Sequence, residues 1–209
     1  MKKLILAAAA VFAFGVANAQ DMKLGIKAGL NVATISGTTD AKSLYGANVG
    51  VFGEFKVSDK FSVQPELLFS MQGAKSSESK DFGGGFYLNT TNKLTLNYIN
   101  IPIMAKFFVA DKFSLQAGPQ IGFLMTANST EEKSSNVPGY VNNSSSTDVK
   151  SSYNSVDFGV NFGAGYSFTE NIAIDLRYNL GLNGLDKNLA SGSTATYNRV
   201  FSLNFGYSF

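Results

Sequence analysis

From Phe201 to the end of the chain every odd position is large and apolar: Phe201, Leu203, Phe205, Tyr207 and Phe209. Ser202, Asn204, Gly206 and Ser208 between them are small and polar. A period of two marks a β-strand with one apolar and one polar face. Seven earlier segments alternate in the same way: Met22 to Val32, Ala47 to Val57, Phe61 to Gln72, about Leu94 to Val109, Phe113 to Met125, about Tyr153 to Phe168, and Ile172 to Leu182. In the first, Leu24, Ile26, Ala28, Leu30 and Val32 share one face, and Lys23, Gly25, Lys27, Gly29 and Asn31 the other. In the fourth, Ile99 to Val109 carries its apolar residues on odd positions, whereas Leu94, Leu96 and Tyr98 break that parity. The change predicts a bulge or a rise above the bilayer.

The connections alternate as well. Ser58-Asp59-Lys60, Ala110-Asp111-Lys112 and Thr169-Glu170-Asn171 are tight polar turns, and the connections at about 33–46, 73–93, 126–152 and 183–196 are longer. Segments of roughly 9–11 residues suffice for a tilted strand to cross a bilayer. The pattern predicts an all-β fold, an eight-stranded antiparallel up-and-down transmembrane β-barrel with short periplasmic turns and long extracellular loops. Phe61, Phe113, Phe168, Tyr207 and Phe209 lie at strand ends near the turns, where an interfacial aromatic girdle belongs. The long connections are rich in Ser, Asn, Thr and Gly, and Asn142-Asn-Ser-Ser-Ser-Thr147 is close to low complexity, so they are expected to bury little and to be mobile.

The N-terminus places this barrel outside the cytoplasm. Lys2 and Lys3 precede an apolar run from Leu4 to Val16 and the small-x-small site Ala17-Asn18-Ala19, a secretory signal peptide over residues 1–19, with residues 20–209 as one barrel domain. The expected location is the outer membrane of a Gram-negative cell. The chain holds 17 basic and 15 acidic residues, and two of the basic ones are Lys2 and Lys3, so the mature chain is charge-neutral and has no basic surface for nucleic acid.

Inside such a barrel the polar parity collects Lys23, Lys27, Lys56, Lys106 and Arg177 against Glu54, Glu66, Asp157 and Asp175. An eight-stranded lumen is just wide enough for side chains to fill it. Unpaired buried charges are costly, so these groups are expected to pair into a polar, salt-bridged plug. A narrow conduit or small-ligand cleft is the alternative, with inward glycines leaving space. The chain has no histidine and no cysteine, which removes Ser-His-Asp and Cys-His catalysis and thiolate chemistry. A carboxylate dyad of Glu54 and Glu66 is conceivable, but nothing separates that pair from salt-bridge partners. Only oxygen ligands remain for a metal, and loop acids such as Glu78, Asp81, Glu131 and Glu132 form no calcium-binding pattern. No catalytic, cofactor or metal site is assigned.

The lysine leader, the Ala-Asn-Ala-Gln junction and the segment Tyr98-Ile-Asn-Ile-Pro-Ile-Met-Ala-Lys-Phe-Phe108 resemble the outer-membrane β-barrel proteins of Bacteroidetes, the PorT-like family. That family has a Tyr-Leu-x-Ile-Pro-Leu-like strand start in mid-chain, which Tyr98, Ile99, Ile101, Pro102 and Ile103 match. Barrels of the OmpA and OmpX type share the architecture. The resemblance implies an eight-stranded outer-membrane barrel, without a defined activity in most members. The expected role is non-enzymatic, with the external loops as interaction surface. The expected partners are outer-membrane lipid, the barrel-assembly machinery reading the strand that ends in Phe209, and an extracellular or envelope protein. The alternative role is a narrow porin-like channel or an accessory subunit of an envelope transport or secretion complex.

Overall fold

A computed structural model of the chain describes residues 22–37, 41–187, 192 and 194–209. The expected leader over 1–19 and its cleavage before Gln20 lie outside these residues, as do 38–40, 188–191 and 193 within two of the expected loops. The described residues form nine strands: β1 (Met22–Ser36), β2 (Lys42–Ser58), β3 (Phe61–Gly83), β4 (Phe86–Ala110), β5 (Phe113–Ser135), β6 (Asn143–Asp148), β7 (Val156–Ser167), β8 (Ile172–Gly181) and β9 (Tyr197–Ser208). A short 3-10 turn, Lys150–Ser152, precedes β7.

Eight of the strands close into a ring. Each of β1 to β5 pairs antiparallel with the next, β5 pairs with β7, and the series continues through β8 and β9 back to β1. The terminal strand seals the ring in continuous register, from Gly25 opposite Ser208 to Ser36 opposite Tyr197. Closure leaves no free sheet edge in the barrel wall, which hydrocarbon requires. The apolar face of the ring strands is outside: Ile26, Leu30, Val49, Phe107, Phe162, Leu176 and Phe205 are all exposed. The alternating face points into the lumen, where Lys27, Asn31, Gln64, Glu66, Asn161 and Arg177 are buried.

Two expected loops are largely β-structure. β3 and β4 run as a hairpin to a turn at Gly84 and Gly85, both with positive φ, so the expected mobile connection at 73–93 is ladder from Gly73 opposite Thr95 to Asp81 opposite Tyr87. β5 continues beside it to Ser135, and β6 takes the place on β5 that β7 holds lower down. The low-complexity stretch is thus mostly β6, a fully exposed strand. The reason is cooperative: once β3 and β4 extend past the barrel, each offers a row of free N–H and C=O groups, and any neighbouring polar chain can complete the ladder. A strand wet on both faces shows no alternation to betray it.

The parity break in the fourth segment is not a bulge in β4 itself. β4 keeps continuous register with β3 from Asn100 to Tyr87, and Leu96 and Tyr98 stay on the inward side, fully buried. The bulge lies on β5, where Thr126 faces Asn97 and Leu124 faces Tyr98, leaving Met125 extra. The inward positions change from polar to apolar because the lumen itself changes there.

Candidate functional site

The inward residues of β1 read as a section through the lumen: Lys23 at the turn end, then Gly25, Lys27, Gly29, Asn31, Ala33 and Ile35. Charge, amide and hydrocarbon follow one another in tiers. In the charged tier Lys27 Nζ donates to Glu66 Oε1 and to Asp175 Oδ2, both at 2.8 Å. Arg177 grips Glu66 with two parallel bonds of 2.8 Å and reaches Asp175 at 3.2 Å. Such fork-to-carboxylate pairing fixes direction as well as charge. Gln116 donates to Asp175 at 2.7 Å and accepts from Arg177 at 3.0 Å. β1, β3, β5 and β8 are thereby tied across the barrel. Lys106 binds Glu54 at 2.7 Å and Gln64 at 3.1 Å, one level nearer the turns.

Above the charges lies an amide tier. Asn48 donates to Asn31 at 2.8 Å and to Asn204 at 2.9 Å, and Asn179 donates to Asn161 at 3.1 Å. The void among these side chains holds only about 30 Å³, space for about one water. Two groups lining it have no protein partner, Arg177 Nε and Asn48 Oδ1, one donor and one acceptor. Above the amides an apolar cluster of Ile35, Ala74, Leu96, Tyr98, Leu124, Ala127 and Leu185 closes the loop end. Leu185 is only 1% exposed although it lies in the β8–β9 connection, so a loop residue completes this cap.

The turn end is open. A vestibule of about 1070 Å³ is lined by Lys23, Glu54, Lys60, Lys106, Phe108 and Lys112 among others, and at its inner end by Phe52 with Lys27 and Asp175 of the charged tier. A Cβ on Gly25 would lie 2.4 Å from the Phe52 ring, and one on Gly206 would lie 3.6 Å from it. The two glycines are the seat that lets this ring lie across the lumen. Lys27 Nζ is 5.3 Å from the Phe52 ring centre, and Lys106 Nζ 5.6 Å from that of Phe108, within cation–π range. At the rim, the hydrogen bond from Lys56 holds the exposed Asp59 carboxyl below its ordinary pKa.

The charges expected in the lumen divide in three. Lys27, Glu54, Glu66, Lys106, Asp175 and Arg177 form the braced tier. Lys23 and Lys56 stand at the turn-end rim, where they bond the Glu170 carbonyl and Asp59. Asp157 is buried near the loop end, and among the described residues no cation bridges it: it accepts a bond from Asn198 instead. Glu54 and Glu66 form no dyad, because Lys106 takes the first, and Lys27 and Arg177 take the second. The amide tier was the part sequence reading missed. Its signal was there, in Asn31, Asn48, Asn161, Asn179 and Asn204 sharing the inward parity.

Beyond the barrel, β3, β4, β5 and β6 form a protruding sheet. Its tip exposes Phe82, Phe86, Tyr87, Tyr140 and Val141. Lys93 bridges Glu132 at 2.7 Å across it. Glu131 beside Lys133 raises the lysine's pKa above its ordinary value.

Comparison with known proteins agrees with this architecture. The family described as "Outer membrane protein beta-barrel domain" matches residues 18–187. No curated protein matches the sequence. Among solved structures the chain is similar to Ail, the attachment invasion locus protein of Yersinia pestis, at 14% identity and TM-score 0.48 over 91% of this chain and 100% of that one. It is also similar to Neisserial surface protein A, at 14% identity and TM-score 0.46 over 89% and 97% of the two chains. CarO of Acinetobacter baumannii follows at 12% identity and TM-score 0.40, over 88% of this chain and 97% of that one.

Proposed function

This chain belongs to the outer membrane protein β-barrel domain family, and from that premise we propose that it is a non-enzymatic barrel of the Gram-negative outer membrane whose lumen is a plug and whose protruding sheet is the working surface. The turn end, with Met22 and Phe209, faces the periplasm, and the β3–β6 sheet stands outside the cell. Its partner there is an extracellular or envelope protein. The observation that carries the reading is the tiered lumen: braced charges, an amide tier with about 30 Å³ of void, and an apolar cap in series. Solutes entering the vestibule meet Phe52 and then the Lys27–Glu66–Arg177 brace. The Tyr98–Phe108 segment supports the finer assignment to PorT-like barrels of Bacteroidetes.

Planar-bilayer recording tests the plug. Refolded protein is expected to give no unitary current steps, and sustained steps would replace this reading with the channel. Replacing residues 77–91 by a two-residue turn tests the working surface. The barrel should still assemble and shift mobility on boiling, while capture of a partner by whole cells is lost; unchanged capture would move the interaction elsewhere. Assembly is proposed to depend on the terminal strand, where Phe209 N–H donates to the Leu24 carbonyl at 2.8 Å and its ring meets Tyr207 edge-on at 5.7 Å. Deleting Phe209 should reduce outer-membrane insertion more than the 77–91 replacement does, as read by the folded fraction in membranes.

A further inference from the structure

Three of the chain's four prolines stand inside the barrel wall: Pro65 on β3, Pro102 on β4 and Pro119 on β5. β1, β2, β7, β8 and β9 contain none. The three lie in one band, since Pro65 is opposite Ile103, the neighbour of Pro102, and Pro102 is opposite Gln120, the neighbour of Pro119. A proline has no N–H to give a neighbouring strand, and for that reason it is rare within sheets.

The pairing is interrupted at each of them. Between β2 and β3 the ladder passes from Phe52 opposite Glu66 to Phe55 opposite Val63, omitting Gly53 with Pro65 and Glu54 with Gln64. Between β3 and β4 it passes from Pro65 opposite Ile103 to Leu68 opposite Asn100, omitting Glu66 with Pro102 and Leu67 with Ile101. Between β4 and β5 it passes from Pro102 opposite Gln120 to Ala105 opposite Ala117, omitting Ile103 with Pro119 and Met104 with Gly118. The register is the same on both sides of every gap, so these are missing bonds and not bulges. The seams β1–β2, β1–β9, β5–β7, β7–β8 and β8–β9 are unbroken. The interrupted sector is thus confined to β2–β5, and the three strands that carry the prolines are those that continue into the protruding sheet. Hydrocarbon offers no water to replace the lost ladder bonds.

The side chains of the gap residues make other ties. Glu54 and Gln64, unpaired in the first gap, both accept from Lys106 on β4, at 2.7 and 3.1 Å. Glu66, unpaired in the second, accepts from Lys27 on β1 and twice from Arg177 on β8, all at 2.8 Å. Gln116 ties β5 to Asp175 and Arg177 of β8. The interrupted sector is therefore fastened to the unbroken one through the lumen. We propose that the proline band is a lateral hinge of the barrel wall, and that the charged tier is the latch that holds it closed.

The test is amide hydrogen exchange, followed by NMR on the refolded mature barrel in lipid nanodiscs. The pairs bordering the gaps, Leu68 with Asn100 and Ala105 with Ala117, are within the ladder, so their exchange reports opening of the wall. They are expected to exchange at least about tenfold faster than Ala28 and Phe205, which pair in the unbroken β1–β9 seam. Equal rates would overturn the hinge. Pro102→Ala returns a donor to β4 and should slow exchange at Leu68 and Asn100; unchanged rates in the folded variant would refute the part given to the prolines. Arg177→Gln releases the latch and should speed exchange at the bordering pairs while leaving Ala28 and Phe205 unchanged. No acceleration, or an equal acceleration in both places, would overturn the latch. Should Arg177→Gln fail to fold, Arg177→Lys, which keeps the charge and loses the two-bond grip, decides by the same readout.

Discussion

Lys27 and Glu66 meet at 2.8 Å inside the barrel, with side chains 1% and 0% exposed; Lys93 and Glu132 meet at 2.7 Å on the protruding sheet, 35% and 44% exposed. The residue types and the distance are nearly the same. What differs is the alternative open to each charge. On the sheet, a lysine that loses its glutamate is rehydrated. In the lumen the lost partner leaves an ion with no water to turn to. A buried pair is therefore weak evidence of net stabilisation but strong evidence that its members cannot be removed singly. The barrel wall is held by ladders and lipid, and the brace fixes which side chains fill the lumen and where.

The comparison breaks first at Lys27. Lys27→Met keeps length and apolar bulk and leaves Glu66 and Asp175 sharing Arg177 alone. The expected loss is about 3–5 kcal/mol, read from urea unfolding of the refolded barrel by circular dichroism. A loss below about 1 kcal/mol would mean that water reaches the tier from the vestibule past Phe52. The loop end should respond by a different mechanism. Leu96 is 0% exposed in the apolar cap, and Leu96→Ala is expected to cost about 3 kcal/mol through the cavity it leaves. That loss should be insensitive to salt, since no charge is involved.

Neutrality, not any one contact, is the quantity the brace protects, and a double variant sharpens this. Lys27→Met with Asp175→Asn removes one charge of each sign and keeps the Arg177–Glu66 fork. It should be less destabilised than the sum of the two single variants by about 1–3 kcal/mol. Additive losses would mean that each contact acts alone.

The barrel was legible because lipid imposes alternation: Leu24, Ile26 and Leu30 must face out, so Lys27 and Asn31 must face in. Tight turns at Asp59 and Asp111 then fixed the hairpins. The protruding sheet was not legible, because residues such as Ser76, Ser77, Thr90 and Thr91 meet water on both faces and need no alternation. Their pairing comes from the edge a neighbour offers, which is not a local property of the sequence. The apolar cap misled for the opposite reason. Leu96 and Tyr98 obey the inward parity, but parity alone does not say at what height the lumen stops being polar. The mismatch at Asp157 has the same origin: it shares the inward face with Glu66 and Asp175, but stands at the loop end, where Asn198 and Tyr98 are its neighbours and no lysine reaches.

The smallest effect completes the comparison. Lys93→Met removes from the sheet what Lys27→Met removes from the lumen. Exposed pairs contribute about 0.2–1 kcal/mol, because solvent screens the attraction and two long side chains lose freedom to hold it. Part of even that should vanish in 1 M salt, where the screening length falls to about 3 Å. The Lys27→Met loss should persist at the same salt concentration, because the Lys27 and Glu66 side chains are only 1% and 0% exposed. Measuring both variants at low and high salt therefore separates burial from pair geometry. If the two salt responses coincide, the charged tier is wet, and ions reach Lys27 and Asp175 from the vestibule.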